Sequence, residues 1–123
     1  MNLIRGVIMV VSHIDEVKAV KMQIPGAEKA WKRVCIAPEQ GWEGYVMRVF
    51  ELEPGGRTPL HTHKWPHINY FLQGEGTLFL DGKENNVKEG SFSYVPSNAT
   101  HQMFNSGDTV FRFICIVPEE GEG

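Results

Sequence analysis

From Trp31 onward the chain is a succession of short β-branched and aromatic runs, each cut off by Gly, Pro, Asn or Asp. This punctuation constrains the fold more than any other feature. No segment holds a 3.6-residue apolar period long enough for a core helix, whereas runs of about four to eight residues suit half-buried strands. Strands are expected near residues 31–36, 44–53, 69–73, 76–80, 84–87, 91–95, 101–105 and 110–117. Turns are expected at Pro54-Gly55-Gly56, Gly74-Glu75-Gly76, Asp81-Gly82, Glu89-Gly90, Pro96-Ser97-Asn98 and Ser106-Gly107-Asp108. Thirteen Gly and seven Pro supply them. Asp81-Gly82 between apolar runs is a two-residue hairpin signal. Asp15–Val20 has the pattern of a helical turn, although the N-terminal segment reads better as strands. The class is all-β, a small barrel or jelly roll.

A length of 123 residues fits one domain, large enough to bury a core without staples. The two cysteines, Cys35 and Cys115, lie far apart and make no disulfide framework, which suits a reducing cytoplasm. A net charge of −3 argues against nucleic acid and anionic membrane as partners. The apolar run Gly6–Val11 is too short for a signal peptide or a membrane span, so a cytoplasmic location is expected. The sequon Asn98-Ala99-Thr100 carries little weight without a secretory signal. The acidic, Gly-rich residues 119–123 read as a frayed, flexible tail.

Strand parity assigns faces. In Val46–Glu53, placing Glu51 and Glu53 outside with Met47 and Val49 sends Arg48 inward with Val46, Phe50 and Leu52. An inward arginine needs a partner. In Val110–Val117, Arg112 is better outside, so Phe113 and Cys115 face the interior. Cys115 reads first as a small buried hydrophobe and second as a reactive thiol.

Four of the five histidines stand out. His61 and His63 sit at i and i+2, so an extended backbone aims both rings to one face. His67 follows Pro66, which breaks the strand. His101 comes 34 residues later, with Met103 and Asn105 on its face. Imidazole is the commonest ligand for transition metals. His13 reads as an ordinary residue. Metal histidines need acceptors behind them to fix their tautomers; backbone carbonyls, Asn69 and Gln73 are the candidates. Trp65 reads as a cap on the cavity mouth or a dimer contact.

Gly55, His61-Thr62-His63, His67 and Gly74 are separated by five, three and six residues. Gly90, Pro96-Ser97-Asn98, His101 and Asn105 are separated by five, two and three. In order and spacing these segments resemble the two motifs of the cupins, with His67 where that family usually has glutamate and Asn98 where it has glycine. Asn tolerates positive φ better than other non-glycine residues, so the turn survives. The resemblance implies a double-stranded β-helix (jelly-roll) cupin barrel over residues 30–118. Residues 1–29 would be N-terminal strands or an arm that exchanges in a homodimer. It also implies one divalent transition metal per chain on His61, His63, His67 and His101. Manganese or iron comes first, with nickel, copper and zinc also accepting imidazole.

Four neutral ligands leave the ion's charge uncompensated, which favours anionic ligands and acidifies bound water. With Arg48, Phe50, Trp65, Met103, Phe113 and Cys115 around it, the pocket reads as apolar and suited to a small-molecule ligand. The function read first is a metal-dependent, dioxygenase-type oxidoreductase acting on a small apolar or enolisable substrate. The alternatives are a metal-dependent isomerase or lyase, ranked lower because no carboxylate is evident in the cavity, and a non-catalytic binding or sensor module. Oxygen uptake with small enols, catechols or alkenes separates the first from the others. No phosphate-binding loop, dinucleotide fingerprint or serine-hydrolase elbow is present in the sequence.

Overall fold

The computed structural model of the chain describes residues 2–4 and 7–122. Eleven strands run in chain order: β1 (Asn2–Ile4), β2 (Val7–Met9), β3 (Val20–Lys21), β4 (Glu28–Ile36), β5 (Tyr45–Arg57), β6 (His67–Gln73), β7 (Glu75–Leu80), β8 (Lys83–Lys88), β9 (Phe92–Val95), β10 (His101–Phe104) and β11 (Phe111–Pro118). Short 3₁₀ turns occupy Ile14–Glu16, Pro38–Gln40 and Glu119–Gly121. β1 and β2 pair antiparallel in a separate two-stranded sheet. The rest pair antiparallel in the order β8-β7-β10-β5-β11-β6-β9, with β4 on β5 and β3 on β4, and wrap into a nearly closed barrel. The expected all-β jelly roll is the observed fold.

Alternation builds the core. β11 is buried at every second residue, and Phe111, Phe113, Cys115 and Val117 face in. Across the ladder, Phe113 pairs with Phe50 and Phe71. Phe71, Phe111 and Phe113 have ring centroids 5.2–5.6 Å apart, and Phe50 stacks on Phe113 at 5.5 Å. Each buried phenylalanine contributes about 1.5–3 kcal/mol by area alone, and offset rings add to that.

Turn chemistry closes the strands. Asp81 and Gly82 both take positive φ, as the hairpin requires. Asn98 sits at φ 67°, the left-handed conformation its glycine-like place demands. Gly74, at φ 79°, is irreplaceable for a second reason: a Cβ there would lie 2.4 Å from the Val110 carbonyl oxygen.

Two local expectations are corrected. Pro54-Gly55-Gly56 is not a turn between strands. β5 continues through it to Arg57, bending at Gly55 (φ 82°) so that its far end pairs with β10. Gly56 lies against backbone oxygens of Lys29 and Glu53, which leaves no room for a side chain. Over residues 15–20 the chain leaves the 3₁₀ turn Ile14–Glu16 and enters β3 at Val20. The acidic end is not frayed over Glu119–Glu122, because its 3₁₀ turn brings Glu122 to Lys32 and Arg48.

On the outer face, Glu51 is nearly buried because Arg33 and Arg112 both bind its carboxylate. Burial raises its pKa, but the two guanidiniums outweigh that and hold it below the usual carboxylate range. Arg33 also donates to the Ile14 and Val17 carbonyls at 2.8 and 2.9 Å, which pins the N-terminal segment over this face.

Candidate metal centre

β10 and the loop before β6 bring the histidines together. The His61 and His101 backbones form an isolated antiparallel bridge. That bridge sets the His61 and His101 rings with centroids 4.8 Å apart, and His63 lies 5.0 and 4.7 Å from them. Ligand nitrogens of His61, His63 and His101 all fall within 4.8 Å of one another. His67, the first residue of β6, falls outside that group of three and approaches His101, the two Nε2 atoms lying 3.2 Å apart.

Hydrogen bonding fixes where the protons are. His63 Nδ1 lies 2.9 Å from the Trp65 carbonyl oxygen, and His101 Nδ1 lies 2.9 Å from that of Ala99. A carbonyl only accepts, so both Nδ1 atoms carry hydrogen and both Nε2 atoms carry lone pairs. His67 Nδ1 lies 3.1 Å from Asn69 Oδ1. The Asn69 amide is itself oriented, since its Nδ2 donates to the Ile114 carbonyl and its Oδ1 accepts from Ser93 Oγ. His67 is thereby held as the same tautomer.

All four rings are poor bases here. Burial, then the neighbouring histidines, pushes His61 down to about 4. Burial again, then the charges of His101, His63 and Arg48, pushes His67 down to about 3. His63 and His101 are lowered too, mainly by burial. Near neutrality the rings are unprotonated, the state that binds metal.

The histidines line a cavity of about 350 Å³. Arg48, Phe50, Trp65, Met103, Phe113 and Cys115 stand on the same wall. Trp65 stacks on His63 at 4.6 Å. Arg48 Nη2 donates to Cys115 Sγ at 2.9 Å, and Cys115 lies 3.5 Å from His67 Nδ1. Burial raises the Cys115 thiol pKa despite Arg48, and both cysteines are free.

The wall also holds residues that the sequence pattern does not point to. Lys32 on β4 and Glu122 beyond β11 both face the cavity, so it does contain a carboxylate, contrary to the sequence reading. The unpartnered inward Arg48 was the signal that an acidic residue elsewhere must reach it. Gln73, expected behind the histidines, is exposed at the far end of β6, and Asn69 alone of the two takes that role.

A barrel of this topology with histidines clustered at one end defines a cupin. The family profile described as "Cupin domain" matches residues 48–117, more than half of the chain, and the protein belongs to that family. Over 68 residues it is 32% identical to an oxalate-binding protein of Thermotoga maritima, covering 54% of this chain and 56% of that one. The chain thus matches only about half the length of such relatives. Among solved structures, the polyketide cyclase RemF from Streptomyces resistomycificus is similar at TM-score 0.85 and 31% identity, over 91% of this chain and 80% of that one. A predicted oxalate decarboxylase from Thermotoga maritima shares the fold at TM-score 0.80 and 23% identity, over 89% and 98%. No helix among the described residues is long and apolar enough to cross a membrane.

Proposed function

We propose that His61, His63, His67 and His101 hold one divalent transition metal, manganese or iron in first place. The observation that carries this is the facing pair of lone pairs on His67 and His101 Nε2, 3.2 Å apart. Two unprotonated nitrogens at that distance repel unless a cation lies between them. Nitrogens bound about 2.1 Å from one ion are themselves about 3.0–3.4 Å apart at octahedral to tetrahedral angles. When bound, the ion supplies Lewis acidity toward a carbonyl or enol oxygen.

The rest of the pocket points to the class of ligand. Phe50, Phe113 and Met103 exclude water and accept an apolar body. Arg48, nearly buried beside them, faces developing negative charge in a low-dielectric surrounding. We therefore read the protein as a metal-dependent enzyme of enolisable carbonyl compounds, of cyclase, lyase or isomerase type. Glu122 removes the objection that the cavity has no carboxylate, and similarity to a polyketide cyclase supports the same class. The dioxygenase-type oxidoreductase is retained as second reading, because four imidazoles leave two positions open on a six-coordinate ion.

Phenylpyruvate separates the two. Metal-loaded protein in D₂O should accelerate exchange of the C3 protons without oxygen consumption, and His67→Ala should abolish the acceleration. Stoichiometric oxygen uptake would favour the second reading.

We also propose a homodimer. Two apolar rows cross the outer face of the barrel in register: Tyr94, Ile68, Ile116 and Met47, then Phe92, Tyr70, Ile114 and Val49. Phe92, Tyr94, Ile68 and Tyr70 are 79%, 61%, 51% and 48% exposed. Adjacent apolar residues of that size mark an interaction surface.

A further inference from the structure

The Arg48 guanidinium lies on the cavity wall with only 8% of the residue exposed. Its Nη2 is answered by Cys115 Sγ, a weak acceptor. Its Nη1 lies 3.4 Å from Glu122 Oε1, the long limit of a hydrogen bond, and its Nε is buried without a partner. A buried guanidinium so poorly answered is costly to maintain. Lys32 Nζ meets the other oxygen of Glu122 at 2.7 Å. Lys21 also lines the cavity, but its ammonium lies over the Trp31 ring, so two cations, Arg48 and Lys32, meet the one carboxylate there. The neutral imidazoles on the floor add no negative charge.

That carboxylate is delivered by a short turn. Glu119–Gly121 folds back so that Gly121 lies against Trp65, where an added Cβ would come within 2.7 Å of Nε1. Glu122 therefore enters the cavity as a separate piece laid over its wall, not as part of a barrel strand.

We infer that Arg48 and Lys32 form a carboxylate-binding subsite beside the histidine cluster, that the ligand of this pocket bears a carboxylate, and that Glu122 is an internal stand-in which the ligand displaces. The inference names the substrate class for the pocket described above but does not depend on the metal. An under-bonded guanidinium gains a properly aligned, charge-assisted pair when a free carboxylate replaces the long contact with Glu122. Until then the internal carboxylate lowers the apparent affinity by the fraction of molecules whose subsite it fills.

The test is calorimetric titration of the full chain with 3-phenylpropionate, which cannot enolise, and with its neutral amide. Metal-free and Zn²⁺-loaded protein are both titrated, so failure of the metal site and failure of the subsite are read separately. Glu122→Gln should bind the acid about tenfold more tightly than wild type. Adding Lys32→Gln to Glu122→Gln should weaken it again by about tenfold. Arg48→Gln should abolish the preference for acid over amide; if that variant does not unfold cooperatively, the Lys32 pair of variants decides the matter. Acid affinity in Glu122→Gln no greater than in wild type would overturn the inference, as would amide binding as tight as acid binding in metal-free protein.

Discussion

His67 Nε2 and His101 Nε2 face each other at 3.2 Å while each ring's Nδ1 hydrogen is committed elsewhere, to Asn69 Oδ1 and to the Ala99 carbonyl. In that tautomer two lone pairs face each other, the arrangement that the proposed metal would relieve. The dependence runs backwards into the sheet: the Ile114 carbonyl orients Asn69, Asn69 sets the His67 tautomer, and the tautomer aims the lone pair.

Asn69→Leu keeps the side-chain volume but removes the acceptor behind His67. Metal affinity should fall by about 10–100-fold. Competition against a fluorescent chelator measures it, with thermal unfolding of the metal-free variant as the control for folding. Unchanged affinity would mean that Asn69 does not orient the ring.

Acid should destabilise the metal-free protein along two overlapping limbs. His61 and His67 are lowered to about 4 and about 3, so the unfolded chain takes up these protons first. Their contribution is complete above the unfolded value of about 6.5 and is lost as pH falls toward the folded values. Glu51 is also lowered. Its contribution is present above the unfolded carboxylate value of about 4.3 and is lost as pH falls through the folded one. Urea unfolding across pH should show both limbs. Glu51→Gln should flatten the lower limb, leave the upper, and cost about 1–3 kcal/mol at neutral pH. Loss of the upper limb in that variant would contradict the assignment.

Phe92→Glu with Tyr94→Glu places charges at the most exposed end of the two apolar rows, on the edge strand β9. Light scattering coupled to size exclusion should report a dimer for wild type and a monomer for the double variant, with metal loading retained. A monomeric wild type would remove this face as an interface.

Much of this architecture was written in local pattern. Alternation along β5 and β11 is a property of extended backbone, so Arg48, Phe50, Phe113 and Cys115 could be assigned to the interior before any fold was known. The shared face of His61 and His63 was legible for the same reason, whereas the positive φ of Asn98 was legible from its place in the motif where cupins carry glycine. Lys32 and Glu122 were not, because they meet each other 90 residues apart in sequence and only after the barrel closes. The passage of β5 through Pro54-Gly55-Gly56 was hidden as well. A glycine at positive φ bends a strand in the same letters that would end it.

The central claim is a metal held by four imidazoles, and elemental analysis of protein purified without an affinity tag tests it most directly. One divalent transition ion per chain is expected in wild type, a reduced content in His67→Ala, and almost none in the double variant His61→Ala with His101→Ala. Metal content unchanged in that double variant, with the fold intact by thermal unfolding, would contradict the assignment of the site.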